Sequence, residues 1–225
     1  MRGIVLAAAL LPFALAGCLA DPAGSRDVAL DRSRIAVQGL AAETVTYDGR
    51  TALKLSPADP TVDATGIAVL RGPDFASGTI ELDLAGRPCE GIGPGARGFI
   101  GIAFRLQGDA PRYECFYLRL TNARCDDQFR RNHSAQYISH PDFPWERLRQ
   151  ESPGAYESYV DLVVGAWTKV RIEVAGTKAK LFVGGSDQPC LIVNDLKLGD
   201  THGAIALWDG PFTIGWFSNL RVKPA

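Results

Sequence analysis

The run Phe99-Ile100-Gly101-Ile102-Ala103-Phe104-Arg105-Leu106 and, after a short polar break, Tyr113-Glu114-Cys115-Phe116-Tyr117-Leu118-Arg119 decide the fold. In the first, Ile100, Ile102, Phe104 and Leu106 share one face of an extended chain. In the second, Phe116 and Leu118 share one face, while Tyr117 and Arg119 point the other way. A period of two marks a half-buried antiparallel strand, because successive side chains leave opposite faces of a sheet.

The same period extends outward in both directions. Thr79 to Leu84 alternates polar with apolar, and Val170, Ile172 and Val174 alternate with Arg171 and Glu173. Leu181-Phe182-Val183 follows Gly176-Thr177-Lys178 at hairpin distance, and Ala204–Trp208 and Phe217–Val222 close the chain. Earlier runs lie at 35–37, 43–47, 52–55 and 66–70, with the turn signal Asp48-Gly49 between two of them. Many short strands separated by Gly, Pro and Asp turns predict an all-β antiparallel sandwich. One stretch breaks the pattern. Thr121–Val160 is polar and aromatic, contains Pro141, Pro144 and Pro153, and is expected to form one long functional loop with a helical turn near Trp145–Arg149.

The N-terminus has a different character. Met1-Arg2 is followed by a nearly apolar run from Ile4 to Ala16 and then Leu15-Ala16-Gly17-Cys18. A basic start, a short apolar stretch and small residues before the cut describe a secretory signal. The tetrapeptide resembles a bacterial lipobox, which implies lipidation of Cys18 and a lipid anchor in the cell envelope, with Leu19 leaning towards the outer membrane. The expected organisation is a signal peptide at 1–17, a lipidated cysteine and flexible tether at 18–34, and one sandwich domain at 35–225. The tether reading rests on Pro22, Gly24 and Ser25 among mixed charges.

A formal net charge of −1 gives no broad basic field for nucleic acid. Without Cys18, Cys89, Cys115, Cys125 and Cys190 remain. Their even number in an oxidising compartment suggests disulfides with three possible pairings; buried free thiols are the alternative. No Cys/His spacing suggests zinc.

Chemistry concentrates between Tyr113 and Arg149. Two of the three histidines, His133 and His140, lie there among Arg119, Arg124, Arg130, Arg131, Arg147 and Arg149, with Tyr117, Tyr137 and Trp145 as aromatic faces. Such a mixture suits a sugar: flat rings cover the apolar face of a pyranose, and Arg, Asn and Asp bond its hydroxyls. Arg105, Tyr117, Arg119, Asn122, Arg131 and Trp145 are therefore the candidate substrate-binding residues. A glycosidase needs two carboxylates, about 5–5.5 Å apart for retention and about 6.5–9.5 Å for inversion. Glu81 and Asp83 share a strand face as such a pair might, and Glu114, Asp126 and Asp127 are the other candidates, with His133 as an acid or base. Glu114 falls on the side of Phe116 and Leu118, so it is expected to be half buried with a raised pKa. No Gly-x-Ser-x-Gly elbow, phosphate loop or HExxH is present.

The succession Ile102-Ala103-Phe104-Arg105, Tyr113–Arg119 and Thr121-Asn122 resembles the concanavalin A-like lectin/glucanase superfamily. It is similar, more narrowly, to bacterial 3-keto-disaccharide hydrolase-like domains and laminin-G-like sandwiches. Trp167–Ile172, Gly203–Trp208 and Phe217–Val222 fit the same plan. The resemblance implies a jelly-roll sandwich, a sugar-site role for Arg105, Glu114, Tyr117 and Arg119, and room for a structural calcium. Laminarinase-type members carry Glu-x-Asp-x-x-Glu on one strand; here Glu81-Leu82-Asp83 is followed by Gly86, so their mechanism is not implied. Three readings of function follow. They are an envelope lipoprotein that binds carbohydrate, a glycoside hydrolase or lyase acting on oxidised sugars, and a protein-interaction module presenting Tyr137, Phe143 and Trp145.

Overall fold

The alternating runs pair into two antiparallel sheets packed face to face. The computed structural model describes residues 24–72, 74–108 and 111–225. Cys18 and the signal segment before it lie outside the described residues. In chain order the strands begin with β1 (Arg26–Asp27), β2 (Ile35–Gln38), β3 (Leu40–Tyr47), β4 (Arg50–Pro57) and β5 (Gly66–Leu70). The middle of the chain forms β6 (Gly78–Pro88), β7 (Phe99–Gln107), β8 (Arg112–Arg119), β9 (Ala135–His140) and β10 (Glu157–Ser158). The last five are β11 (Thr168–Ala175), β12 (Lys178–Val183), β13 (Leu191–Val193), β14 (Ala204–Asp209) and β15 (Thr213–Pro224). Two short helices, α1 (Gln128–Arg131) and α2 (Trp145–Glu151), flank β9.

One sheet has the order β13-β12-β11-β6-β15-β4-β3, with β1 added against β15. The other has the order β10-β9-β8-β7-β14-β5-β2. The inner face of the first presents Leu53, Leu55, Ile80, Leu82, Leu84, Ile172 and Phe217. Ile100, Ile102, Phe104, Phe116, Leu118 and Leu207 face them from the second. Each such burial stabilises the fold by about 1.5–3 kcal/mol. This is the antiparallel sandwich expected from the alternation. Asp48-Gly49 forms the expected tight turn, with both residues at positive φ and Tyr47 opposite Arg50.

Three expectations need correction. The stretch Thr121–Val160 is not one loop. Its centre is β9, which pairs with β8 along its whole length, and the helical turn at Trp145 is α2. Ala135, Tyr137 and Ser139 point inward, so a strand is hidden inside a polar run. The segment read as a tether is seated on the sandwich from Arg26 onward: β1 pairs with β15, and the Val28 N–H donates to the Leu220 carbonyl at 2.8 Å. Val28 and Leu30 pack on the core. The four domain cysteines are free thiols. Cys115 is sealed within a sheet, and Cys125 turns its thiol to the Asn122 carbonyl at 3.1 Å. Burial raises the thiol pKa of Cys190 to about 11.

Candidate functional site

The outer face of the second sheet carries the site. On β8 the residues that alternate with the core are Tyr113, Cys115, Tyr117 and Arg119. Register sets their neighbours. Gly101 on β7 lies opposite Tyr117 on one side and Trp208 on the other. A Cβ at Gly101 would come within 2.6 Å of the Tyr117 Cβ, so the missing side chain lets the two rings close over β7. They stack with centroids 4.8 Å apart. Phe99 meets Tyr117 edge-on, and the Trp208 indole donates to the Tyr113 hydroxyl at 3.2 Å. Tyr113 stacks on His140, whose pKa is lowered by burial. These rings floor a cavity of about 640 Å³, walled by Ile138, Pro144, Trp145, Glu146 and the loop at Ile92–Ala96.

A second compartment of about 330 Å³ adjoins it and shares Gly95, Phe99 and Trp145. Its wall is cationic: Arg97, Arg119, Arg130 and Arg149 converge there with Asn122, Phe129 and His133. Arg119 is only 5% exposed. Its guanidinium donates to the Tyr117 hydroxyl at 2.9 Å, the Gln136 side-chain oxygen at 3.0 Å and the His133 carbonyl at 2.9 Å. Guanidiniums and rings alternate across the site. Arg149 lies 4.5 Å from the Trp145 ring and 5.7 Å from Phe129, and Arg119 lies 5.6 Å from Trp145 and 5.1 Å from Tyr117. Each such pair contributes about 0.5–2 kcal/mol, more as it is desolvated. Glu157, on β10, is buried and pairs with both Arg149 and His133 at 2.7 Å. Burial lowers the His133 pKa, reinforced by Arg149 and Arg119 and opposed by Glu157.

The structure brings together Tyr117, Arg119, Asn122, His133 and Trp145 from the residues singled out in the sequence. It places the others elsewhere. Arg105 is fully buried and donates to the carbonyls of Ala76, Gly176 and Gly199. The β7–β8 register shifts between Phe104 and Gln107, and Arg105 takes a positive φ of 55°, so alternation fails at that residue. Glu114 is buried, as its place beside Phe116 predicts, and burial raises its pKa. It accepts from the Tyr137 hydroxyl at 2.6 Å and the Leu198 N–H at 2.8 Å, away from both compartments. Asp127 caps α1 by accepting from the Arg130 N–H at 3.1 Å, and Asp126 is exposed beside it. Neither lines the site, so Glu114, Asp126 and Asp127 form no acid/base pair there. Arg131 lies over the Tyr159 ring, 5.1 Å away, outside the groove. Tyr137 is buried, so the surface expected of Tyr137, Phe143 and Trp145 together is not presented. Among the described residues no group of three His, Cys, Asp or Glu side chains could hold a metal ion.

Several site residues escaped the sequence reading. Phe99, at the start of β7, and Trp208, near the end of β14, meet Tyr117 through the sheet order, which alternation does not give. Arg97 sits in a Gly/Pro-rich loop, and Phe129, 64% exposed at the rim, rides on a four-residue helix.

No protein-family model matches the sequence, and comparison with curated proteins gives no match. Solved structures do resemble it. The carbohydrate-binding module CBM66 from Bacillus subtilis is 13% identical, covering 83% of this chain and 97% of that one, with a TM-score of 0.54. A Bacillus subtilis protein of unknown function with a galectin-like fold is 13% identical over 85% and 89% of the two chains, at 0.55. The exoplasmic/lumenal domain of VIP36, in a Ca2+/Man3GlcNAc-bound form, is 9% identical over 86% of each, at 0.51. These likenesses are of fold: the chain is an antiparallel β-sandwich of the jelly-roll type.

Proposed function

We propose that this protein binds carbohydrate in the groove on the outer face of the second sheet and works as a lipid-anchored protein of the bacterial cell envelope. The carrying observation is the aromatic lining of the groove: Trp145, 37% exposed, and the half-buried Phe99 present ring surface above the buried, mutually stacked pair of Tyr117 and Trp208, beside fixed donors. A flat apolar surface takes up the C–H face of a pyranose, while donors held by their own hydrogen bonds meet its hydroxyls without further ordering. Two of the similar structures are named for sugar binding or were solved with a sugar bound, which supports the same reading. The carboxylates named for the cleaving alternative, Glu114, Asp126 and Asp127, do not line the groove.

The test is a glycan array followed by calorimetry on the full chain, with Trp145→Ala beside it. Trp145 is 37% exposed, so its removal is expected to leave the fold intact, checked by a thermal melt of the variant. Saturable binding weakened about 10–100-fold is expected, the equivalent of one aromatic contact. Binding unchanged by the substitution, or no glycan bound at all, overturns the reading. For the anchor, the support is the Leu15-Ala16-Gly17-Cys18 motif after an apolar run. Cys18→Ala is expected to abolish fatty-acid labelling and release the protein from membranes; labelling that persists rules the anchor out.

A further inference from the structure

The cationic compartment holds more positive charge than the protein neutralises. Four guanidiniums line it, and among the described residues Glu157 is the carboxylate within ion-pair distance of any of them, through Arg149. Glu157 also bonds His133, so its charge is shared. Arg119 is nine-tenths buried and donates only to neutral oxygens. Arg130 reaches the Asn122 side-chain oxygen at 3.4 Å and no carboxylate. Arg97 is half-buried; burial, and then the charges of Arg130 and Arg119, hold its pKa down against the opposing charge of Asp127, which, like Glu146 near Arg119, makes no ion pair with these guanidiniums.

Like charges gathered at low dielectric repel, and desolvation adds to the cost. Such a cluster is favourable when an anion occupies it, and guanidiniums fit carboxylate and sulfate oxygens through paired N–H donors. The compartment is continuous with the aromatic groove across Trp145 and Phe99. An anion seated among the arginines therefore lies within reach of a sugar ring held in the groove against Trp145 and Phe99.

Resting on the carbohydrate reading of the groove, we infer that its ligand is an acidic saccharide, a sugar bearing a carboxylate or sulfate group that sits among Arg97, Arg119 and Arg130. Arg149, held by Glu157, orients the Trp145 partition between the anion and the ring. Phe129, on the rim, covers the anion from solvent.

The experiment uses the full chain in detergent and matched pairs of ligands. Oligogalacturonate is compared with its carboxyl-reduced form, and a sulfated galactan with its desulfated form; sodium sulfate alone is the third arm. Arg97→Gln and Arg130→Gln are the variants, with Arg171→Gln on the other sheet as a control, and thermal melts verify the fold of each. The expected result is a preference of at least tenfold for one acidic member over its neutral partner, falling with added salt. Each groove variant lowers that affinity about tenfold, and Arg171→Gln leaves it unchanged. The pair that shows the preference identifies the anion as carboxylate or sulfate. Equal binding of acidic and neutral partners overturns this inference and leaves the carbohydrate reading standing. Binding of sulfate but of no saccharide, or no binding at all, overturns both. Acidic binding indifferent to Arg97 and Arg130 overturns the assignment of the anion to this compartment.

Discussion

Arg119 donates a hydrogen bond to the Tyr117 hydroxyl at 2.9 Å, and through it the cationic and aromatic halves of the groove are joined. Both side chains leave the same face of β8, and both are nearly inaccessible. Arg119→Ala would leave the Tyr117 hydroxyl and the Gln136 side-chain oxygen without this donor, and the His133 carbonyl with only the longer bond from the Asn122 amide at 3.4 Å. Unpaired buried groups cost about 1–3 kcal/mol each, partly offset here because a costly buried charge is also removed. We expect a net loss of stability of about 1–3 kcal/mol by urea unfolding and loss of ligand binding. Arg119→Lys should restore little of either, since an ammonium cannot reproduce the planar fork. A lysine variant with native affinity would show that charge alone, and not the fork, is what the groove uses.

How much of this was legible follows from what alternation can and cannot encode. A period of two places Tyr117 and Arg119 opposite Phe116 and Leu118, so half of the floor was readable from β8. It cannot say which strands lie side by side, and the contact of Trp208 with Tyr117 is a matter of sheet order across β7. Arg97 and Phe129 reach the groove from a loop and a short helix, where no period exists to be read. Inside 121–160, β9 was hidden because its outward positions, Gln136 and His140, are polar, and its inward ones include Ser139. Glu114 was read as half buried; it is wholly buried, and its burial serves Tyr137 and Leu198.

Glu157→Gln tests the electrostatics of the cationic half. The carboxylate bonds Arg149 and the His133 ring, and removing its charge leaves the partly buried Arg149 without a counterion and the His133 ring without its anionic partner. A fully buried broken pair costs about 3–5 kcal/mol; with Arg149 27% exposed, about 2 kcal/mol is the expected loss. Burial and the arginines already lower the His133 pKa, and Glu157 opposes them. The pKa should therefore fall further in the variant, followed through the ring signals in an NMR titration. A rise would mean that Glu157 does not act on His133 through its charge.

Asp209 gives the stability a pH dependence. Its carboxyl is wholly buried on the inner side of β14, and neither oxygen has a hydrogen-bond partner. Burial pushes its pKa well above the usual carboxylate range. The folded state then binds a proton that the unfolded chain releases near pH 4, so stability is fully present below that pH and falls as pH rises towards the folded pKa. The slope is about 1.4 kcal/mol per pH unit for one such group. Glu114, also raised by burial, acts in the same direction. Asp209→Asn keeps the shape without the ionisation. It should match the natural protein in urea unfolding at pH 4 and exceed it increasingly towards pH 8. Parallel pH profiles for the two proteins would show that Asp209 contributes no pH dependence.

Arg105 separates a structural arginine from a binding one. Its alternating position suggested the sugar face, but the irregularity between Phe104 and Gln107 turns it among three separate connections. There it bonds the carbonyls of Ala76, before β6, Gly176, in the β11–β12 turn, and Gly199, before β14. Those carbonyls belong to segments of both sheets, so one guanidinium ties that end of the sandwich together. Asp200, at 3.6 Å and largely exposed, is its nearest counter-charge. Arg105→Ala removes all of these donors and opens a cavity, a combination that costs about 3–5 kcal/mol. Arg105→Lys should recover less than half, because a single ammonium cannot span three carbonyls. In the fraction that stays folded, ligand affinity should equal that of the natural protein, since Arg105 lines neither compartment. A variant of native stability that had lost its ligand would reverse this assignment and return Arg105 to the sugar site.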